Sequence, residues 1–424
     1  MRSRIRGCVF IKTTTYLIAG MKIGLIREGK NPPDKRVPLT PAQCQLLKER
    51  YDDLDIIVQP SQVRAYKDEE YSARGIELNE DLSSCDLIMG VKEVNVEDLI
   101  PGKKFMFFSH TIKKQAHNQK LMRALLDKHV EMIDYEVLKD AKNKRIIGFG
   151  RYAGVVGTYN AFLTLGLKDG TYNLKPAHQC HDRKEMEAEL KKVMLPKDLK
   201  IVSTGFGRVG HGAREIIDLL PIKEVTPEEF VGKNFDCPVF THLEVEDYYG
   251  RKDGAPFNKA DFYANPENYV STFGRFVSEA DMYIPCHFWS NRSPVIITAQ
   301  DLMRSNRRLR VVADISCDTN GPIACTIRAS KILDPIYGYN PITGMEDDFK
   351  KEDVIAVMSV DNLPCELPKD ASEDFGSELI KLVIPCFMES DPDRIIERAT
   401  ETKDGKLMKD FQYLQDYADG VLVH

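Results

Sequence analysis

From Lys22 the chain alternates short apolar runs with amphipathic segments. KIGLI reads as a strand and PAQCQLLKER as a helix, DIIVQ and DEEYSARG repeat the pair, and CDLIMGVKE and KFMFFSH are two more strands. NQKLMRALLDKH then reads as a helix and EMIDYEVL as a strand. The helical segments carry apolar residues at i, i+3 and i+4, while the strands are near-continuous apolar runs. This alternation predicts an α/β fold with a largely parallel sheet covered on both faces. After Gly150, YAGVVGTYNAFLTLGL is small and apolar enough for a buried connecting helix, and the polar segment 169–198 that follows reads as a surface excursion.

A second alternating unit begins at Lys200. Its expected elements are the strand and helix of KIVSTGFGRVGHGAREIIDLL, strand IKEV, strand DMYIPC, helix TAQDLMRS, and strands RVVADIS and VIAVMSV. Residues 232–279, rich in Asp, Tyr, Asn and Pro, exceed what a minimal nucleotide fold needs and read as an insertion. From PKDASEDFGSELIKLVIPCFM onward the chain is helical and is expected to return to the first domain. The boundaries that follow are 21–150 with 366–424 for one discontinuous domain and 151–365 for the other. Residues 1–20 hold three arginines and two short apolar patches broken by Lys12 and a threonine run; they read as an appended start outside the fold.

The most local chemical signal is Gly205-x-Gly207-x-x-Gly210 between a strand and a helix. Glycines at this spacing give a tight turn, a close backbone approach to a pyrophosphate, and helix packing on the strand, with the helix N-terminus facing the anion. The acid that usually holds the ribose 2′-hydroxyl is missing after IKEV, where Thr226 takes its approximate place, with Glu228 and Glu229 just beyond. A threonine neither favours that hydroxyl strongly nor repels a 2′-phosphate.

Composition narrows the classes. The formal net charge of −6, with basic residues dispersed, gives no reason to expect nucleic acid or an anionic membrane as partner, so a small molecule is the expected one. No run approaches the roughly 20 apolar residues that span a bilayer. Ten cysteines without a CxxC pair point to a reducing, cytoplasmic setting rather than a disulfide framework or structural zinc. His178, Cys180 and His181 crowd three potential ligands into four residues without a partner cluster, so they read as a polar turn and no metal is expected.

Titratable residues fall at strand ends of the first unit. Lys92 follows CDLIMG and His110 ends FMFFSH; in a parallel sheet such residues converge on the crevice at the carboxyl edge. A lysine near other cations in a partly dry cleft can act as a base, and a histidine as acid or base. The alternative is a solvated Lys92 and a strand-capping core His110. Lys30 and Arg36 lie in the loop after the first strand, and Arg145 and Phe149 before the connecting helix. Arginines aimed into a crevice suit carboxylate substrates, although each alone is more often a surface charge.

Together KNPPDKRVPLTP, GVKEV, FFSHTIKKQ, GFGRYAG, TGFGRVG, ADISCDTNG and SVDNLPCELPKDAS run in the order seen in one family. The chain resembles the lysine-forming saccharopine dehydrogenases and the lysine-ketoglutarate reductase half of the bifunctional lysine-degrading enzyme, within the alanine dehydrogenase and transhydrogenase fold family. The resemblance implies two Rossmann-like domains flanking an active-site cleft, NAD or NADP as cofactor, and saccharopine, lysine and 2-oxoglutarate as substrates. It implies Lys92 as proton acceptor from the secondary amine and His110 as acid/base for imine hydration, tuned by Lys30, Lys113 and Glu136. Arg36, Gln115, Arg145, Phe149, Ser316, Cys317 and Asp318 match substrate-side positions. Gly205, Gly207, Arg208, Gly210, Thr226, Phe288, Ile315, Val360, Asp361, Asn362 and Leu363 match cofactor-side ones. Val209 stands where some fungal members carry a cysteine able to pair with one matching Cys286, which excludes that disulfide here. KEVTPEEF and NPENYVSTFGRF are more similar to the reductase half, which prefers NADPH. The other readings are a related amino-acid or imine dehydrogenase, such as alanine dehydrogenase, and a non-catalytic metabolite or nucleotide sensor.

Overall fold

The computed structural model describes residues 20–421; the expected appended start, apart from Gly20, lies outside the described residues, as does Cys8. Two eight-stranded sheets organise the described residues. In the first, strands Met21–Leu25, Leu54–Val58, Glu77–Leu78, Leu87–Met89, Lys104–Phe107 and Glu131–Asp134 are all parallel. Its far edge is completed by Thr400–Lys403 and Lys406–Leu407, both antiparallel, so the end of the chain does return to the first sheet. The central strands are buried on both faces, as their continuous apolar runs require.

Capping explains part of the RVPLTP motif. Thr40 accepts the backbone N–H of Gln43, the Gln43 side chain returns to the Thr40 N–H, and Pro41 opens helix Pro41–Arg50. This box also ties the first half to the late helix Pro368–Leu382, because Gln43 Nε2 donates to the Glu373 carbonyl at 2.8 Å.

The second sheet runs Met345–Asp347, Ile336–Asn340, Ile355–Met358, Val311–Ala313, Met282–Pro285, Lys200–Thr204, Val239–Leu243, Lys223–Glu224. The two strands at the first edge are antiparallel, the rest parallel. Two sequence expectations change here. IKEV becomes a two-residue edge strand, and the segment 232–279 contains Val239–Leu243, which pairs with all five residues of the fingerprint strand. Only the remainder is additional: a two-stranded hairpin, Tyr249–Arg251 with Tyr269–Ser271, and short helices.

The buried helix after the first sheet spans Gly150–Asp169 and ends at Gly170 in the left-handed conformation. It crosses tightly against helix Arg208–Ile217: a Cβ at Gly154 would lie 1.9 Å from the Val209 carbonyl oxygen. The small residues of YAGVVG are thus a packing requirement. The polypeptide passes from one half to the other near Gly148–Gly150 and again near Leu363–Pro368.

Candidate functional site

The first sheet delivers four polar side chains to one edge. Glu28 follows Leu25, Lys92 follows Met89 and His110 follows Phe107, each by three residues, and Asp134 ends its own strand. These are the carboxyl ends of adjacent parallel strands, where an open α/β sheet forms its crevice.

Lys92 and His110 are both partly buried and differently held. The Glu28 carboxylate fixes the Lys92 backbone, accepting the Val91 N–H at 2.6 Å and the Lys92 N–H at 2.9 Å. Burial, helped by Asp34, pushes the Glu28 carboxyl up to about 8. Burial also lowers the Lys92 ammonium from its ordinary 10.5, and the positive charges of Arg36 and Lys30 add to the effect. His110 Nδ1 lies 2.5 Å from Glu93 Oε1, and Lys30 Nζ donates to Glu93 Oε2 at 3.0 Å. Burial opposes ionisation of Glu93, but the bond and charge of His110 and the bond from Lys30 outweigh it and hold the carboxyl well below the usual range. An ionised Glu93 accepts, so Nδ1 carries the proton and Nε2 is the nitrogen left for other partners.

Around this pair stand the other expected residues. Lys113 Nζ lies 3.2 Å from Glu136 Oε1 and Arg145 Nη1 lies 3.9 Å from the same oxygen. Arg36 is 3% exposed and forks onto Asp34 at 3.0 and 2.6 Å. Its guanidinium lies 4.2 Å from the Phe149 ring centroid and also donates to Asn362 Oδ1 at 3.1 Å, so one arginine joins both halves. Phe149 in turn stacks on Phe375 at 4.3 Å. Gln115 is exposed, and its carbonyl accepts from the Tyr417 hydroxyl at 2.6 Å. Asp34 thus occupies the Nε–Nη2 edge of Arg36, the edge that a bidentate carboxylate would otherwise use.

In the second half the glycine turn forms one wall of a cavity of about 570 Å³, which Phe288, 94% exposed, also lines. Gly205 has φ 93°, and its Cβ would meet the Cys286 carbonyl oxygen at 2.5 Å; a Cβ at Gly210 would come within 1.9 Å of the Gly205 carbonyl oxygen. At Gly207 the space is open, as a pyrophosphate lying against the backbone needs. Arg208, beside that turn, bonds both oxygens of Glu378 at 2.8 and 2.6 Å, which places it across the domain boundary.

Ile315 and Leu363 close over Gly157, where a Cβ would meet them at 2.5 and 3.0 Å, and Val360 is buried beside them. Ser316 Oγ donates to the His287 carbonyl at 2.8 Å. Cys317 is left-handed at φ 53°, with its thiol against the Ser359 carbonyl, and burial pushes that thiol up to about 12. Burial also raises Asp318, while Asp361 is exposed. His178, Cys180 and His181 are separated in role: His178 Nδ1 faces Glu366 at 3.8 Å, Cys180 is buried, and His181 is exposed beside Asp182.

Thr226 is a correction. It follows the outermost strand, two strands from the glycine turn, and its hydroxyl caps helix Pro227–Gly232 by accepting the Glu229 N–H. The residue at the end of the strand adjacent to the fingerprint is Glu244, which lines the cavity with Gly205 and Gly207. Its carboxylate stands 3.4 Å from Lys259 Nζ. The detour through the edge strand and its capped helix pushes Glu244 well beyond the usual spacing of about 20 residues after the motif. The next full apolar run, VFTHL, was the signal that could have located it.

Residues 24–156 match the alanine dehydrogenase/PNT N-terminal domain family. The chain is 32% identical over 438 aligned residues to the alpha-aminoadipic semialdehyde synthase of Arabidopsis thaliana, covering 92% of this chain and 41% of that protein. Against the mitochondrial alpha-aminoadipic semialdehyde synthase of Rattus norvegicus it is 30% identical, covering 97% and 49%. It thus spans about half or less of the length of these relatives. The saccharopine dehydrogenase [NAD(+), L-lysine-forming] of Schizosaccharomyces pombe is 25% identical over 84% of this chain and 90% of its own. Among solved structures, an L-alanine dehydrogenase superposes with TM-score 0.64 at 16% identity, covering 95% of this chain and all of that one. The Sinorhizobium meliloti transhydrogenase superposes with TM-score 0.56 at 14% identity, covering 91% and 98%. The chain is thus similar in sequence to alpha-aminoadipic semialdehyde synthases and, more distantly, to saccharopine dehydrogenases, and it shares the fold of the L-alanine dehydrogenase and transhydrogenase structures.

Proposed function

We propose that the protein is a nicotinamide-dependent oxidoreductase that interconverts saccharopine with L-lysine and 2-oxoglutarate. The observation that carries this reading is the pair at neighbouring strand ends: a lysine whose ammonium is destabilised by burial and by Arg36 and Lys30, beside a histidine anchored through Nδ1 by an ionised Glu93. Similarity to the saccharopine dehydrogenase [NAD(+), L-lysine-forming] of Schizosaccharomyces pombe supports it.

A nicotinamide bound along the glycine turn supplies the hydride acceptor or donor. Lys92, whose ammonium form burial and the neighbouring Arg36 and Lys30 destabilise, takes in its neutral form the proton from the substrate's secondary amine, so that the nitrogen lone pair is free when hydride leaves the adjacent carbon. His110, with Nδ1 fixed, moves protons through Nε2 as water adds to the resulting imine and the carbon–nitrogen bond breaks. Lys113, Glu136 and Arg145 set the field around these groups, and Arg36, Phe149 and Gln115 line the substrate side. Ser316, Cys317 and Asp318 would complete the substrate side from the second half, and Ile315 with the run Val360 to Leu363 would hold the nicotinamide.

On the cofactor side Glu244 supports NAD over NADP. A carboxylate at this strand end accepts from a ribose 2′-hydroxyl and repels a 2′-phosphate. Lys259, now paired to Glu244, is the cation that a 2′-phosphate would meet if the carboxylate were removed. The test is oxidation of NADH and of NADPH in the presence of lysine and 2-oxoglutarate. NADH is expected to be consumed with the lower KM, and Glu244→Ser to narrow or invert the preference. Activity with pyruvate and ammonia, and none with lysine and 2-oxoglutarate, overturns the substrate assignment; an unaltered preference in Glu244→Ser overturns the cofactor one.

A further inference from the structure

His110 is flanked in sequence by two residues whose side chains enter a buried polar chain that the chemistry above does not use. Asp134 Oδ2 lies 2.5 Å from Ser109 Oγ, Ser109 Oγ lies 2.6 Å from Thr111 Oγ1, and Thr111 Oγ1 lies 2.5 Å from Glu401 Oε2. All four residues are fully buried. Glu401 belongs to strand Thr400–Lys403, which pairs with the strand that ends in Asp134. The lysines of this region pair elsewhere: Lys113 with Glu136, and Lys104 and Lys403 with Glu131.

Counting protons decides the state of this chain. Three short oxygen–oxygen contacts need three hydrogens, and two hydroxyls supply two, so the third sits on a carboxyl. Asp134 has the surroundings of an anion, since it also accepts the Ser109 N–H at 3.2 Å and the Glu136 N–H at 2.7 Å. Glu401 lacks such N–H donors among the described residues, and its carboxyl also stands within hydrogen-bond reach of the Asp134 carboxylate, a contact that favours Asp134 as the anion and Glu401 as the protonated partner. The donors therefore run one way: the Glu401 carboxyl O–H to Thr111, the Thr111 hydroxyl to Ser109, the Ser109 hydroxyl to Asp134.

We propose that Glu401 and Asp134 hold one shared proton across Ser109 and Thr111, and that this chain is the positioning device that fixes His110 against Glu93. The inference rests on the acid/base role proposed for His110. His110 needs such a device because it stands at φ 53°, a left-handed conformation that L side chains avoid unless neighbours enforce it. Anchoring the side chains on both sides of it fixes the backbone between them and so aims the imidazole. Burial raises Glu401 well above the ordinary carboxyl range, and the adjacent Asp134 charge adds to this; burial raises Asp134 as well, against its hydrogen bonds. Glu136, Tyr135, Tyr413 and Tyr417 also face the pair, and among the described residues the one cation whose charge reaches it is Arg145, on the Asp134 side, where it favours the ionised form of Asp134.

Two measurements test it. The infrared difference spectrum of wild type minus Glu401→Gln near neutral pH is expected to show the C=O stretch of a protonated carboxyl; no such band overturns the shared proton. Glu401→Gln keeps an N–H donor toward Thr111, so its kcat and pH–rate profile are expected within about twofold of wild type. Thr111→Val and Glu401→Leu break the chain and are expected to lower kcat roughly 10- to 100-fold, with the KM for the dinucleotide unchanged, because a slightly misplaced acid/base group reacts poorly. Equal losses in Glu401→Gln and Glu401→Leu, or an unchanged kcat in Thr111→Val, overturn the positioning role. If the wild-type protein turns over neither cofactor with lysine and 2-oxoglutarate, the functional reading fails by itself. The His110 imidazole NMR signal then decides this inference: displacement in Thr111→Val but not in Glu401→Gln supports it, and the same position in all three proteins overturns it.

Discussion

Lys92 and His110 sit side by side yet are tuned by opposite means, and this sets the pH behaviour expected of the reaction. Lys92 has its positive form destabilised, by burial first and then by Arg36 and Lys30. His110 has its Nδ1–H held by Glu93. As proton acceptor Lys92 must be neutral, so kcat/KM for saccharopine oxidation is expected to fall as pH drops through the lysine's pKa. Because that pKa lies below 10.5, the limb lies below 10.5 as well. In the direction of saccharopine formation the protonated lysine is the useful form, and the same group gives a limb of the opposite sign, with the rate falling as pH rises. Lys92→Met is expected to remove both limbs and to cost about 10² to 10⁴ in kcat, while dinucleotide affinity, measured by fluorescence titration, stays near wild type. At this scale Lys92 and His110 were legible in the sequence because each closes a recognisable apolar run. The supporting residues were not: Asp134 and Glu401 meet only through the antiparallel pairing of two strands distant in the chain, and no local pattern announces that.

At the scale of elements, the glycine turn separates two roles that its motif runs together. A methyl at Gly210 would collide with backbone, 1.9 Å from the Gly205 carbonyl oxygen, whereas one at Gly207 would meet nothing within 4 Å. Gly210→Ala is therefore expected to destabilise the second half, by about 1–3 kcal/mol as for overpacked positions, seen as a lowered Tm. Gly207→Ala is expected to leave Tm within experimental error and to weaken dinucleotide binding, since the methyl fills the space where the pyrophosphate approaches the backbone. The strand and helix on either side of this turn could be read from the sequence because IVST, after Lys200, is wholly apolar or small and REIIDLL has helical spacing. Reading the next strand failed for a physical reason. IKEV and VFTHL are both short, both stand beside polar turns, and pattern alone cannot show which of them lies against the fingerprint strand; hydrogen-bond pairing put IKEV at the edge and left Thr226 to cap a helix. Glu244 inherits the position that Thr226 was expected to hold.

At the scale of the molecule, the halves are linked by two chain crossings and by polar contacts that close the cleft. Arg36 reaches Asn362, Arg151 pairs with Asp374, and Arg208 forks onto Glu378. The last of these is the one nearest the glycine turn. In this arrangement the Arg208 charge is already neutralised, and a carboxylate is held close to the place where the pyrophosphate is expected. Replacing Glu378 by Gln keeps a side chain of the same shape but removes that negative charge, leaving the Arg208 charge unpaired, with Nη2 still on the Ile146 carbonyl and Nη1 open to an anion. Glu378→Gln is therefore expected to tighten dinucleotide binding several-fold, with the gain shrinking as salt is raised. The same change loses an ion pair between the halves that is about one-third exposed, which is worth about 1 kcal/mol or less, so the global Tm should barely move. What should move is the cleft: with the latch gone, the radius of gyration of the cofactor-free protein in small-angle scattering is expected to rise, and to return to the wild-type value when the dinucleotide is added. A weaker dinucleotide affinity in Glu378→Gln would mean instead that the carboxylate aims Arg208 at the cofactor, and the latch would then belong to the bound state rather than compete with it.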